Sequence, residues 1–209
     1  MRFSPALCTW YEPARLSLPC FAQPKLNGLR AVYKDSHFFS RSGNQWADSL
    51  LLHMIKPLRR KFRRPIVLDG EFYRHGWTLD RIAEAVSLFR KEPGSDTLEI
   101  GFYVFDIASE APFVERCARY AKLVPNVCSH VQPVPALSVE SLAAADAIHA
   151  WNLRTGFEGT IYRTGNSGYR PGRDQCLMKR KEKRGSGFTI EREFKPRVDR
   201  WNALPQHSI

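Results

Sequence analysis

Five short polar clusters, each beside an apolar run typical of a β-strand, constrain this chain more than any other feature of its sequence. The hexapeptide KLNGLR at residues 25–30 stands just before a strand pattern, and the tripeptide DGE at residues 69–71 ends another. Three further clusters follow in order: Phe105-Asp106, Glu158-Gly159 and the tripeptide KRK at residues 179–181. A single lysine before a turn is common, but five such clusters in one chain indicate a shared functional site.

The spacing of the apolar residues predicts a mixture of strands and helices. A β-hairpin is expected over residues 29–33 and 37–40, with further strands over residues 66–73, 98–107, 160–163, 176–181 and 188–194. Helices are expected over residues 45–62 with a break or kink at Pro57, over residues 79–91 and 114–123, and over residues 138–154 between a Ser138 cap and Gly156. This mixture predicts an α+β fold, built from antiparallel sheets with packed helices.

Length and charge bear on domain organisation and on the partner. The 209 residues suit one domain, which we place at residues 1–183, followed by a basic tail at residues 184–209 that is too short to build another core. The chain carries 32 Lys and Arg against 21 Asp and Glu, a formal net charge of +11. Such an excess favours a polyanionic partner, nucleic acid above all, although a basic surface kept for solubility is the alternative.

Cysteine and histidine usage argues against a disulfide framework and against structural zinc. The five cysteines are an odd number without a C-x-x-C pair, and the six histidines lack the spacing of metal ligands. We expect reduced thiols and a cytoplasmic location. The amino-terminal stretch shows neither a signal peptide nor a membrane span, so no membrane partner is expected.

The ordered clusters resemble the motifs of the covalent nucleotidyltransferase superfamily, which contains ATP-dependent DNA ligases, RNA ligases and GTP-dependent capping enzymes. The resemblance runs from about residue 23 to residue 181, with the family pattern K-x-D-G-x-R, D-G-E, an aromatic residue before Asp, E-G and K-x-K. It implies a DNA-ligase-type, ATP-grasp-like nucleotidyltransferase domain of bacterial or viral type. It also implies ATP, Mg²⁺ or Mn²⁺, nicked duplex DNA as partner, and a monomer.

The resemblance assigns a role to each matching residue. Lys25 corresponds to the nucleophile that forms lysyl-AMP, and Glu158 to the metal-binding carboxylate. The remaining nucleotide contacts are Arg30 and Glu71 at the ribose, Phe105 stacked on the purine, and Lys179 and Lys181 at the α-phosphate. The segment SRSG at residues 40–43 resembles the one through which ligases hold the nick phosphate, by way of Arg41. Gln23 is a candidate for the adenine edge, and Arg173 for a nucleic-acid or nucleotide phosphate.

The chemistry of a lysine nucleophile supports these roles independently. An amine attacks only when neutral, and an unperturbed pKa of roughly 10.4 leaves well under 1% neutral at pH 7. Desolvation or neighbouring cations must therefore favour loss of the proton. Arg30, Lys179 and Lys181 could supply those cations and also offset charge that develops on the α-phosphoryl oxygens. A carboxylate such as Glu158 suits Mg²⁺, which prefers oxygen ligands.

Several residues keep an ordinary structural alternative. Phe105 could be a core residue of an apolar strand, Glu71 an exposed carboxylate, and Arg41 a solvated surface charge. Asn27 stands where the family usually has Asp, which keeps hydrogen bonding but removes a charge beside Lys25. A ligase normally continues into an OB-fold domain, for which residues 184–209 are too short. The sequence therefore allows a minimal domain or a separate OB-fold-containing chain as partner.

Three functions compete. The leading one is an ATP-dependent DNA ligase, or its adenylation domain, because Arg30 closes the first motif as in DNA ligases. An RNA ligase or capping-type nucleotidyltransferase is the first alternative. A non-catalytic nucleic-acid-binding module is the alternative of another class, and it would not need Lys25, Glu158 and the lysine pair together.

Overall fold

A computed structural model describes residues 3–87 and 89–182, and within them ten strands form two sheets of five strands each. The strands are β1 (Ala6–Trp10), β2 (Cys20–Lys25), β3 (Leu29–Lys34), β4 (His37–Phe39), β5 (Leu68–Tyr73), β6 (Gly101–Ile107), β7 (Val131–Pro133), β8 (Leu137–Val139), β9 (Gly159–Thr164) and β10 (Gly172–Lys181). The α-helices are α1 (Asp48–Lys61), α2 (Leu79–Ala85), α3 (Ser95–Glu99), α4 (Phe113–Leu123) and α5 (Leu142–Arg154).

The strand order confirms the expected α+β architecture. The first sheet runs β1-β10-β9-β2-β8 and the second β4-β3-β5-β6-β7. Neighbouring strands pair antiparallel except for β1 with β10 and β6 with β7, which are parallel. The chain passes from the first sheet to the second between Lys25, the last residue of β2, and Leu29, the first of β3. Both sheets therefore contribute residues to the loop that carries the first polar cluster.

Two apolar cores support the sheets. The larger lies on the second sheet and includes Phe38, Phe72 and Phe102, whose rings meet edge to face, together with Leu58 of α1. The smaller lies under α5, where Tyr162 of β9 is 1% exposed. Burial of each such side chain contributes about 1.5–3 kcal/mol to the stability of the fold. The sheets are therefore well packed on the faces opposite the polar residues.

The expected hairpin at residues 29–40 is confirmed. Lys34 of β3 pairs with His37 of β4, and the two residues between them, Asp35 and Ser36, have positive φ angles of 50° and 69°. Two consecutive positive φ angles are typical of the tight turns that suit the twist of a hairpin.

Two helices differ from the sequence prediction in extent. Helix α1 does not break at Pro57 but continues to Lys61, because Met54, Ile55 and Leu58 on either side of the proline are completely buried. Helix α2 ends at Ala85 instead of residue 91. Phe89, expected on its apolar face, is 98% exposed.

Two other boundaries were also wrong. Ser138 lies in β8, and the cap of α5 is Ser141, whose side chain accepts a hydrogen bond from Ala144 N at 3.1 Å. Gly156, with φ +86°, follows the helix as expected. The strand predicted from residue 98 begins only at Gly101, because α3 occupies the preceding residues.

The strand predicted at residues 188–194 and the tail at residues 184–209 lie outside the described residues. In the part of the chain that is described, none of the helices is both long and apolar enough to span a bilayer.

Candidate functional site

Lys25, Glu158 and Lys181 meet at the ends of three neighbouring strands of the first sheet. Gly159, the first residue of β9, pairs with Lys25 of β2 on one side and with Lys181 of β10 on the other. Glu158 precedes Gly159, and its backbone N–H donates to the carbonyl oxygen of Lys25 at 3.0 Å. Its carboxylate accepts hydrogen bonds from Lys25 Nζ through Oε2 and from Lys181 Nζ through Oε1. The structure therefore brings together three of the residues that the sequence singled out.

The electrostatics of this cluster favour a charged carboxylate. Burial raises the pKa of Glu158, but hydrogen bonds from Lys181 and Lys25 lower it by more, so the net direction is downward. The side chains of Lys25 and Glu158 are 20% and 22% exposed. The cluster is therefore largely withdrawn from water and still reachable by a ligand.

Two glycines allow the close approach of backbones around the cluster. A Cβ on Gly159 would lie 2.0 Å from the carbonyl oxygen of Arg180 in β10. A Cβ on Gly28 would lie 2.2 Å from the carbonyl oxygen of Phe72 in β5. Both distances are far below any allowed contact. Glycine is therefore required by packing in the KLNGLR cluster and in the Glu158-Gly159 cluster.

Arg30 is fixed on the second sheet by a buried carboxylate. Its guanidinium donates to both oxygens of Asp69, with Nε 2.6 Å from Oδ1, and Nη2 also donates to the carbonyl oxygen of Ala6 in β1 at 3.0 Å. Tyr169 donates to the same carboxylate at 2.6 Å. Burial opposes the charge on Arg30, but Asp69 outweighs it and the pKa of the guanidinium is raised. Arg30 is therefore a permanent cation with its plane held in place.

Glu71 lies across the strand pair from Arg30, on the same face of the second sheet. Burial raises its pKa to about 7, while Arg30 and Lys25 act in the opposite direction. A hydrogen bond from the backbone of Gly28 also stabilises its charged form. Glu71 therefore lies close to Arg30 and Lys25 with one hydrogen bond to the loop between β2 and β3.

Phe105 is the extra residue of a β-bulge between β5 and β6. Asp69 pairs with Asp106 and Gly70 with Val104, which leaves Phe105 without a partner in the register. Its ring is partly buried against the larger core, and the guanidinium carbons of Arg30 and Arg163 lie 4.8 Å and 5.4 Å from its centroid. Bulges often redirect a side chain beside a functional site.

A buried polar network joins the two sheets beneath Phe105. Asp106, 0% exposed, accepts hydrogen bonds from Arg116 at 2.7 Å and 3.1 Å and from Arg163 at 2.7 Å. Arg163 also donates to Gln23 Oε1 at 2.6 Å, and Gln23 Nε2 donates to the hydroxyl of Tyr120 at 2.9 Å. Every member is at most 7% exposed, so the network holds β2, β6 and β9 in a fixed relation.

This network holds the side chain of Gln23. The side chain is 1% exposed, and its Nε2 also donates to the carbonyl oxygen of Phe105 at 3.2 Å. Both ends of the amide are satisfied inside the protein, so a contact between Gln23 and the adenine edge would require one of these hydrogen bonds to be exchanged. The sequence did not predict the partners Arg116, Arg163 and Tyr120. The available signal was Asp106 inside the apolar run FYVFDI, because a buried carboxylate requires cationic partners.

Lys179 interacts electrostatically with Lys25 and Lys181. Burial lowers its pKa, and Lys181 and Lys25 lower it further. Its Nζ lies 4.3 Å from the centroid of the Trp10 ring. Arg180, between the two lysines, points to the opposite face and pairs with Asp146 at 2.5 Å. The expected alternation of β10 is therefore confirmed.

The two residues expected to contact nucleic acid lie on the surface. Arg41 is exposed in a turn in which Gly43 N donates to the carbonyl oxygen of Ser40 at 2.9 Å, and Gly43 has φ +78°. Arg173 is exposed on β10, opposite Leu7 of β1. Arg173 acts on Lys179 of the cluster through its charge and helps to lower the pKa of that lysine.

A small cleft lies apart from the lysine cluster, that is, from Lys25, Glu158, Lys179 and Lys181. It is lined by residues that include Asp106, Arg163, Ser167, Tyr169 and Arg170, and neither Lys25 nor Glu158 contributes to it. The lysine cluster is the better candidate site because titratable groups with opposite charges converge there, whereas two of the arginines that line the cleft, Arg116 and Arg163, are paired with Asp106.

The described residues hold no group of three or more His, Cys, Asp or Glu side chains arranged to bind a metal ion. Glu158 is the carboxylate that the lysine cluster offers to such an ion. That is enough for Mg²⁺ of the kind that keeps several waters and is otherwise held by substrate phosphates. The site fits a metal that arrives with a nucleotide, and it does not fit a metal held by protein alone.

A comparison with protein families covers the residues of this site. The family model described as the ATP dependent DNA ligase domain matches residues 14–181, which include every residue of the Lys25 cluster. Among curated proteins, none matches the sequence.

Solved structures of DNA ligases share the fold. A structure from a study of DNA binding by the minimal scaffold of Lig E DNA ligases has a TM-score of 0.72 and 19% identity, over 87% of this chain and 70% of that one. Chlorella virus DNA ligase-adenylate gives 0.71 and 22%, over 87% and 68%. The ligase of bacteriophage T7 in complex with ATP gives 0.68 and 14%, over 85% and 68%.

At these identities the structural likeness establishes the fold, and the family model establishes the kind of domain. Its match spans most of the chain and ends at Lys181, the last residue of the cluster. The chain belongs to the ATP-dependent DNA ligase domain family.

Proposed function

We propose that this chain captures AMP from ATP on Lys25 and transfers it to the 5′-phosphate of nicked DNA. The observation that carries the proposal is the shared carboxylate of Glu158, which holds Lys25 and Lys181 side by side at the ends of β2 and β10. In a domain of this family, a lysine with further cations beside it suits nucleophilic attack on a phosphorus atom.

In the first step Lys25 Nζ attacks the α-phosphorus of ATP, the bond from that phosphorus to the bridging oxygen breaks, and pyrophosphate leaves. Before it attacks, Lys25 must leave its ion pair with Glu158 and lose a proton. The proton passes to solvent water, because the lowered pKa of Glu158 makes this carboxylate a weak proton acceptor.

The remaining residues bind and orient the nucleotide. Lys179 and Lys181 lie on the face of β10 that carries the cluster, where they can offset negative charge on the α-phosphate. Phe105, placed by its bulge, offers a ring face to the purine, and Glu71 and Arg30 offer hydrogen bonds to the ribose. When bound, Mg²⁺ or Mn²⁺ would neutralise charge on the phosphates, and Glu158 is the protein group that would hold it.

The second step needs a nucleic-acid end near Lys25. Arg41 and Arg173 are exposed cations that can contact backbone phosphates without reading the sequence.

The test is to incubate the chain with ATP and Mg²⁺ and measure its intact mass. One added AMP is expected, on a phosphoramidate that is labile in acid and resistant to mild alkali. Lys25→Ala should show no addition. Lys25→Arg should also show none, because a guanidinium is effectively never deprotonated in a protein. Equal labelling of either variant would overturn the proposal.

Further arms separate the competing substrates. ATP should label the chain and GTP should not, whereas labelling by GTP would indicate capping chemistry. Labelled protein should then transfer AMP to a 5′-phosphorylated nick in DNA in preference to one in RNA. A chain that binds nicked DNA but never acquires AMP would be a binding module.

A further inference from the structure

The exposed indole of Trp10 lies at the edge of the lysine cluster. Trp10 ends β1, the edge strand of the first sheet, and is 60% exposed. Its partner in the parallel register is Lys179 of β10, and the two strands are also joined there by a hydrogen bond from Tyr11 N to the carbonyl oxygen of Lys179 at 2.9 Å. Paired residues of adjacent strands share a face, so the indole and the ammonium lie on the same side.

Lys179 is held differently from the other two lysines of the cluster. Lys25 and Lys181 each donate to Glu158. Within residues 3–87 and 89–182, no ion pair or hydrogen bond to a carboxylate is found for Lys179, and its Nζ instead lies 4.3 Å from the centroid of the Trp10 ring. An ammonium over an aromatic face within about 6 Å is attracted by the ring quadrupole.

An indole and a carboxylate hold an ammonium with different consequences for an incoming phosphate. A carboxylate neutralises the lysine, so a phosphate has to displace it. Attraction to an aromatic ring restricts the flexible four-carbon side chain of the lysine. Because the ring carries no net charge, the positive charge of the ammonium stays available to a phosphate. Of the three lysines, Lys179 is therefore the one already free to receive an anion.

We propose that Trp10 is a positioning residue that holds Lys179 ready for the α-phosphate of ATP during formation of lysyl-AMP. This inference rests on the proposed function, because it gives Lys179 the role of a phosphate contact. It also explains why a large apolar side chain stands exposed on an edge strand, a position where proteins usually place charges.

The test compares single-turnover labelling of Trp10→Leu, Trp10→Phe and the wild-type protein at varied ATP concentration. Trp10→Leu removes the ring and keeps an apolar side chain, and we expect kcat/KM for labelling to fall about two- to five-fold. Trp10→Phe should recover part of the loss. The matched control is Trp151→Leu, which removes an indole beside Arg154 on α5, outside the site, and should label normally.

A double-mutant cycle separates positioning from a purely structural role. In a Lys179→Met background, Trp10→Leu should cause no further loss of kcat/KM, because the ring acts only through the ammonium. A tetrafluorinated tryptophan placed at residue 10 alone should behave like leucine, since fluorination weakens the quadrupole at nearly constant shape. Melting temperatures of all variants check that the fold is intact.

The outcomes distinguish the inference from the function on which it rests. If the wild-type protein acquires no AMP, the proposed function fails. If it does, and the losses from Trp10→Leu and Lys179→Met are independent, Trp10 does not act through Lys179. If labelling is unchanged in Trp10→Leu while DNA affinity falls, Trp10 contacts nucleic acid and the positioning role is overturned.

Discussion

Glu158 holds Lys25 by a hydrogen bond from Nζ to Oε2, so the lysine proposed as nucleophile is paired in this structure with the carboxylate proposed to bind a metal. The two roles exclude each other at that oxygen. Under the proposed function, a cation held by Glu158 would displace Lys25 from this oxygen, so binding of ATP with its metal and release of the amine would be coupled.

Glu158→Gln should slow labelling of Lys25 at least about ten-fold, because an amide offers one oxygen instead of two and carries no charge for the metal or the lysines. The measurement is single-turnover labelling over a range of Mg²⁺ concentrations, and the requirement for Mg²⁺ should rise. Asp146→Asn is the control, since it removes a carboxylate paired with Arg180 on the opposite face of β10. Equal effects of the two substitutions would remove Glu158 from the site.

Phe105→Ala should raise the ATP concentration needed for half-maximal labelling by about 5- to 100-fold, the equivalent of ~1–3 kcal/mol of base stacking. Tyr or Trp at this position should keep most of the affinity. Phe62→Ala, which removes a partly buried ring packed on the same core at the end of α1, serves as control. An unchanged ATP requirement in a folded Phe105→Ala protein would assign the ring to the core alone.

Asp106→Asn should lower the free energy of unfolding by about 3–5 kcal/mol, because it leaves Arg116 and Arg163 buried without a compensating charge. The comparison is Asp96→Asn. Asp96 also accepts two hydrogen bonds from one arginine, Arg90, at 2.7 Å each, but both side chains are about one third exposed. That substitution should cost no more than about 1 kcal/mol. The measurement is urea unfolding of the wild-type protein and the two variants. Similar losses in the free energy of unfolding would mean that burial does not control the strength of these ion pairs.

These residues show what the sequence could and could not predict. The motifs that contain Lys25, Glu158 and Lys181 were visible in the local sequence, and so was the hairpin at Asp35 and Ser36. Strand β2, which ends at Lys25, was not predicted. The buried contacts of Gln23 were not predictable either, because its partners Tyr120 and Arg163 come from segments 97 and 140 residues away.

Boundaries failed where tertiary burial outweighed local preference. Pro57 is a strong local signal for the end of a helix, but three fully buried side chains around it keep α1 intact. Ser138 and Ser141 are equally good caps by residue type, and only the pairing of β8 with β2 excludes the first. Strand β1 was missed altogether, because it pairs in parallel with β10, more than 160 residues later, and the Trp10–Lys179 contact was missed with it.

Glu71 should make stability depend on pH. Its pKa in the folded protein is raised from 4.5 to about 7, so the folded state holds this proton more tightly than the unfolded chain. The contribution is therefore fully present below about pH 4.5 and is lost as the pH rises through about 7. Glu71→Gln cannot ionise, so its melting temperature relative to wild type should increase from pH 5 to pH 8. A difference that stays constant with pH would contradict the shift, and Glu115→Gln on the exposed face of α4 controls for general charge effects.

Binding of nicked DNA should depend steeply on salt, because the contacts available to Arg41 and Arg173 are phosphate contacts. With about two to five phosphates neutralised, an increase from about 50 to 200 mM salt should weaken affinity by about ten- to several hundred-fold. Removing one such contact lowers the slope of log affinity against log salt by about 1. Arg41→Ala and Arg173→Ala should each show that change, whereas Arg64→Ala, an exposed arginine beyond α1, should leave the slope unchanged. All three substitutions remove one positive charge, so equal slopes would mean that DNA responds to the net charge of +11 and not to a defined surface.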